Sequence, residues 1–230
     1  MFEMSIRQII VVTDGKSNVG GNPADAAYLA NKKGITVSAI GIVDDGILSH
    51  KEIKDIANWG GGVYDIIYSD EFIKSLSAIT QKSAEKTIYK TLDSELMRLI
   101  GKNIEGLHPV LRSQIIDYID KLLDMSNLKC AILLDLSGSM KNKLKKAVNG
   151  ITDLLSTFKA RRGKSELCLI GFPGENNVYA KILCPFTARI SDIEFCLDDV
   201  KAGGNTPTYY AIEIAASLFE NEINTMRYIV

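Results

Sequence analysis

Histidine is scarce in this chain, with two in 230 residues, His50 and His108. Neither has a serine or cysteine motif beside it, so a nucleophile–histidine enzyme has little to be built from. Four cysteines are present but no C-x-x-C, which argues against a zinc ribbon or a dithiol redox site. No charge of one sign dominates: 27 lysines and arginines face 28 acids, for a net charge of -1. Nothing resembles the basic patch of a nucleic-acid binder. No apolar run approaches a membrane span. Met1–Arg7 lacks a charged segment followed by an apolar one, so no secretory leader is expected there. Neither a P-loop nor a G-x-G-x-x-G is found. Cys130, Cys168 and Cys184 fall in predicted buried strands and Cys196 in a predicted helix. They read as small hydrophobes in a reducing compartment. A cytoplasmic protein is expected, with no nucleic acid and no membrane as partner.

What is present is apolar and periodic. Hydrophobic residues make up 46% of the chain, enough for one sizeable core. Ile6–Val12, Ile35–Val43 and Val63–Tyr68 read as buried strands. Between them come a helix from Pro23 to Lys33, stopped by Gly34, and a helix from His50 to Trp59. Asp44-Asp45-Gly46 reads as a turn, and Gly60-Gly61-Gly62 as a break. This β-α-β-α-β order predicts a parallel sheet. Residues 70–127 change character. Apolar stripes at Phe72, Ile73, Leu76 and Ile79, at Leu92, Leu96, Leu99 and Ile100, and from Val110 to Leu123 predict two or three helices and no strand. Cys130–Leu134 is the next strand, followed by a helix from Lys141 to Lys159. Leu167–Phe172 and Val178–Leu183 predict an antiparallel hairpin around Pro173–Asn177. Ile190–Val200 and Tyr209–Glu220 read as helices, and Met226–Val230 as the start of an extended run.

One stretch carries chemistry. Asp135-Leu-Ser-Gly-Ser139 ends an apolar strand and places a carboxylate and two hydroxyls at alternate positions. Oxygen ligands of this kind suit a small hard cation. The alternative for the motif taken alone is Ser139 as a helix N-cap and Asp135 as a turn residue.

Asp135-x-Ser137-x-Ser139 resembles the first element of the metal-ion-dependent adhesion site (MIDAS) of the von Willebrand factor A (vWA) family. Thr206 in Gly-Gly-Asn-Thr-Pro-Thr matches the second element, with Thr208 the weaker candidate. Ile9-Ile-Val-Val-Thr-Asp-Gly15 matches the strand and aspartate that form the third, and Asn58–Tyr64 the run into the last strand. The resemblance covers residues 5 to about 80 as the back half of the domain and 128–225 as the front half, so the order is circularly permuted. It implies a doubly wound α/β fold. The sheet is six-stranded and mostly parallel, with one antiparallel edge strand, in the order 3-2-1-4-5-6. The corresponding organisation is 1–80 as back half, 81–127 as helical linker and 128–230 as front half.

The resemblance further implies a divalent metal site made of Asp135, Ser137, Ser139, Thr206 and Asp14. It would hold Mg²⁺, or Mn²⁺ or Ca²⁺, and take an acidic side chain from a partner protein. The order is also similar to that of small cytosolic vWA proteins of spore-forming bacteria, which implies a regulatory or assembly role. A binding module is therefore expected, not an enzyme. The alternatives are a Mg²⁺-dependent hydrolase of the phosphatase or ATPase-associated kind, although a D-x-D phosphatase would want Asp at 137, and a metal that only stabilises the fold. The tail 226–230 looks like a second copy of the Ile6–Val12 strand and would compete for its place. Closure of both halves within one chain is expected, with a half-swapped dimer as the alternative.

Overall fold

The computed structural model describes residues 5–43, 50–68, 72–175, 178–198 and 200–227. The apolar runs become six strands: β1 (Ser5–Thr13), β2 (Thr36–Val43), β3 (Gly61–Tyr68), β4 (Asn127–Asp135), β5 (Ser165–Phe172) and β6 (Lys181–Thr187). They form one sheet in the order β3-β2-β1-β4-β5-β6. Every pairing is parallel except β5–β6 at one edge. The expected doubly wound sheet is therefore present. β1 and β4 are buried along nearly their whole length, as strands covered on both faces must be.

Alternation along the strands feeds two cores. Ile10, Val12, Ile132 and Leu134 face one side, where helices α3 (Phe72–Ile100), α5 (Leu144–Ala160) and α6 (Ile190–Leu197) pack. Ile9, Val11, Ala131 and Leu133 face the other, under α1 (Pro23–Lys32), α2 (His50–Trp59) and α7 (Thr208–Arg227). The two halves of the chain meet at the middle of the sheet. β1 and β4 run in register from Ser5 opposite Asn127 to Val12 opposite Leu134.

The segment joining the halves is more than a bridge. α3 is one helix of 29 residues, spanning the polar stretch that separates its two apolar stripes. It crosses the 80/81 boundary and packs on β2, β3 and α5. The polar middle stays helical because its hydroxyls find partners. Ser83 Oγ bonds Ser38 Oγ of β2 at 3.0 Å, and Thr87 Oγ1 lies 2.9 Å from Thr36 Oγ1. Ala84 and Ile88 complete the buried stripe. α4 (Pro109–Met125) packs back on α3.

Arg161 pins this segment to the sheet. Its Nη2 donates to the carbonyls of Leu123 (2.5 Å) and Ser126 (2.8 Å), and its Nη1 to Ser165 Oγ (2.9 Å). Arg161→Ala should cost about 2–4 kcal/mol, because two carbonyls at the end of α4 lose charge-assisted bonds. Urea unfolding measures this, and a change below ~1 kcal/mol would show that water replaces the guanidinium without penalty.

Several boundaries differ from the sequence expectation. β3 begins at Gly61, inside the predicted glycine break. β6 begins at Lys181, three residues later than predicted, because Val178 and Tyr179 are exposed and the Tyr179 ring stacks on Tyr210, with centroids 4.0 Å apart. Pro185 is tolerated in β6 because the strand is an edge. α6 ends at Leu197, short of Val200. The helix predicted to start at Lys141 is preceded by a 3₁₀ turn, Gly138–Asn142, and α5 proper starts at Leu144. The extended run predicted from Met226 is wrong for Met226 and Arg227. α7 continues through Arg227, with no glycine or proline after Pro207 to stop it. Residues 228–230, the turn Asp44–Gly46, and Asn176 and Asn177 of the hairpin turn lie outside the described residues.

Candidate metal centre

The central strands β1 and β4 end side by side where the strand order reverses, at the crevice where doubly wound folds bind ligands. Asp135 is the last residue of β4 and is fully buried. Thr13 Oγ1, at the end of β1, donates to its Oδ2 (2.5 Å), and Ser137 N donates to its Oδ1 (2.8 Å). Burial pushes the Asp135 carboxyl up to about 6, against the lowering effect of the Thr13 and Ser137 hydrogen bonds. The neighbouring Asp14 charge adds to the rise.

From Asp135 a row of oxygens leads across to β1. Ser137 Oγ lies 3.1 Å from Ser139 Oγ, and Ser139 Oγ donates to Asp14 Oδ1 at 2.7 Å. Ser139 gives its one proton to Asp14, and the Ser137 hydroxyl lies between Ser139 Oγ and the Asp135 carboxylate, to which it also hydrogen-bonds. Ser139 is thus not the N-cap of α5: it lies inside the 3₁₀ turn, and Lys143 occupies the cap position. Asp14 is brought in from 125 residues away by the β1–β4 pairing. Its second oxygen, Oδ2, receives Lys143 Nζ at 2.6 Å.

Thr206 reaches the site through its backbone. Its N–H donates to Asn18 Oδ1 (2.8 Å), and its carbonyl accepts from Asn18 N (3.2 Å) and Ser17 Oγ (3.0 Å). On the other side, Gly203 N donates to Leu136 O (2.6 Å) and Gly138 N to Gly204 O (3.3 Å). The loop 203–206 is therefore tied both to the loop after Asp14 and to the turn carrying Ser137. Thr208, the weaker candidate, is fully buried, and its Oγ1 has no hydrogen-bond partner among the described residues. The glycines after Asp14 are needed for close approach. Gly20 has φ +95°, and a Cβ there would lie 2.6 Å from the Tyr210 ring.

The structure thus brings Asp135, Ser137, Ser139 and Asp14 into one hydrogen-bonded row, with Thr206 on the adjoining loop. Sequence reasoning missed Thr13, Asn18 and Lys143. Thr13 was visible only as part of a strand-ending T-D-G, and Lys143 only as one of several lysines after the motif. His50 and His108 are exposed at the starts of α2 and α4.

The donor set fits a hard cation. Every group is an oxygen, two are carboxylates, and the buried Thr208 hydroxyl is an oxygen without a partner. No group of three or more His, Cys, Asp or Glu side chains that could hold a metal ion occurs among the described residues, so a cation here would depend on the hydroxyls as well as on the two carboxylates.

A family profile, that of the von Willebrand factor type A domain, matches residues 130–230. An uncharacterized protein of Bacillus subtilis strain 168, YabS, is 31% identical over 220 residues, covering 94% of this chain and 89% of that protein. The crystal structure of an uncharacterized protein from Alicyclobacillus acidocaldarius superposes with a TM-score of 0.88 at 32% identity, covering 96% of this chain and 97% of the other. The chain belongs to the von Willebrand factor type A family. The vWA profile covers β4 onward, the half that carries Asp135, Ser137, Ser139 and Thr206. Asp14 lies outside the matched span, and the β1–β4 pairing sets it beside Ser139 and Lys143. No described helix is long and apolar enough to cross a membrane.

Proposed function

We propose that this vWA protein is a metal-dependent protein-binding module, with its two halves in circularly permuted order. Asp135, Ser137, Ser139 and Asp14 would hold a divalent ion, Mg²⁺ first and Mn²⁺ or Ca²⁺ otherwise. Thr206 would join directly or through water. The bound ion would supply Lewis-acid attraction for an acidic side chain of a partner protein. The observation that carries this reading is the unbroken row from Asp135 through Ser137 and Ser139 to Asp14. The chain's own residues do the preparatory work. Thr13 and the Ser137 N–H fix the Asp135 carboxylate, and the 203–206 loop is held against both strand ends. Asp135 and Asp14 would balance the charge of the ion, and direct ligation by neutral hydroxyls would leave it electrophilic enough to take one more carboxylate. A regulatory or assembly role in the bacterial cytoplasm, and closure of the domain within a single chain, belong to the same proposal.

The test pairs metal with an acidic ligand. A set of short Glu- and Asp-containing peptides should bind in Mg²⁺ or Mn²⁺, fail to bind in EDTA, and fail with Ser139→Ala. Equal binding in EDTA would refute the reading, and Mg²⁺-dependent turnover of p-nitrophenyl phosphate would favour a hydrolase. A companion prediction concerns Asp14→Asn. The fold should persist by circular dichroism, while Mn²⁺ affinity falls about tenfold or more, or roughly 1.4 kcal/mol. Unchanged affinity would remove Asp14 from the site.

A further inference from the structure

Lys143 has no use in the site as described so far, yet its ammonium lies against it. Its Nζ is 2.6 Å from Asp14 Oδ2, with side-chain exposures of 11% for the lysine and 1% for the aspartate. Lysine is rarely buried to this degree unless a specific partner holds it. Helix stability does not explain its place. Lys143 is the N-cap of α5, makes no side-chain cap bond, and has no acidic residue in the first turn beside it. A cation at a helix N-terminus opposes the helix dipole. Asp14 is a partner that holds it there, and the other oxygen of Asp14 receives Ser139 at 2.7 Å.

We propose that Lys143 is a tethered counter-ion that competes with the divalent cation for Asp14 and so sets the cation concentration at which the site loads. This rests on the metal-binding reading above. The lysine neutralises one of two adjacent carboxylates, which lets the strand ends close without an ion. An arriving cation must take Asp14 Oδ2 from the ammonium, or bind beside it and bear the repulsion of a like charge in a partly buried setting. Lys143 therefore weakens cation binding while supporting the fold.

Calorimetric titration with Mn²⁺ of the full chain tests this, using Lys143→Gln, Lys143→Met (which keeps the apolar stem) and the exposed Lys145→Gln as control. Both Lys143 variants should bind Mn²⁺ at least about tenfold more tightly than the unmodified chain, and Lys145→Gln should match it. Thermal melts supply a second readout. The Lys143 variants should melt lower than the unmodified chain in EDTA, and the gap should close or reverse in saturating Mn²⁺. Equal or weaker Mn²⁺ binding by folded Lys143→Gln and Lys143→Met overturns the role of Lys143 and leaves the metal site standing. Absence of Mn²⁺ binding in every form overturns the metal site and this proposal together.

Discussion

Asp135→Asn will raise the melting temperature of the protein in EDTA and at the same time abolish Mn²⁺ binding. The two effects have one cause. Asp135 is fully buried, and burial raises its carboxyl from 3.8 to about 6. Between those values the folded chain keeps a proton that the unfolded chain has released. The unfolded state then binds fewer protons, so stability falls as pH rises through this window and stays lowered above it. The difference corresponds to about 3 kcal/mol at pH 8 in the absence of a cation. Asparagine removes the buried charge and keeps a carbonyl for Ser137 N and a polar partner for Thr13. A gain of about 2–3 kcal/mol is expected, or roughly 5–10 °C for a chain of this size. It should shrink toward zero as pH falls to about 4. Melts at several pH values in EDTA, with and without excess Mn²⁺, measure it. A lower melting temperature for Asp135→Asn at pH 8 in EDTA would mean that the carboxylate stabilises the fold without an ion.

The largest loss of stability is expected from Phe172→Ala. Phe172 is fully buried in the core under α7 and stands opposite Asp135 in the β4–β5 pairing. Its carbonyl accepts from Leu136 N at 2.6 Å, and Leu136 O in turn accepts from Gly203 N at 2.6 Å. Truncation should leave a cavity and cost about 3–5 kcal/mol. Because that cavity lies beneath the turn carrying Ser137, Mn²⁺ affinity should fall as well, although Phe172 contributes no ligand. Phe195, 79% exposed, is the matched control, and its alanine variant should stay within ~0.5 kcal/mol. Chemical denaturation of both variants checks the pair. A Phe172→Ala cost below ~1.5 kcal/mol would mean that the core collapses onto the space.

The parts of the site legible in the sequence were those written locally. Asp135, Ser137 and Ser139 lie within five residues at the end of an apolar strand, so one turn suffices to gather them. Asp14 was legible only through the family resemblance, because a T-D-G after a strand is commonplace by itself. The pairing of β1 with β4 is what gives it meaning. Thr13 and Lys143 act on partners 122 and 129 residues away, and no local pattern announces such contacts. The fold followed the same division. Strands buried on both faces are continuous apolar runs, and β1 and β2 were read nearly to the residue, while β4 was read without its first three residues, Asn127–Lys129. β6 was misplaced because an edge strand is half exposed and contains a proline. The length of α3 was hidden by Ser83 and Thr87, which look like loop residues until they meet Ser38 and Thr36 of β2. The end of α7 was misread because Arg-Tyr-Ile-Val repeats the composition of β1.

The central claim is that one cation site is assembled from both ends of a single chain. The most direct measurement is the anomalous difference map of a crystal grown with Mn²⁺. The account predicts one strong peak per chain, within ~2.0–2.3 Å of the Ser137 and Ser139 hydroxyl oxygens. Asp14 and Asp135 of that same chain should lie beside it. A peak elsewhere, or no peak between those four residues at saturating Mn²⁺, would contradict the site. A peak there with Asp14 supplied by a second chain would contradict the single-chain assembly.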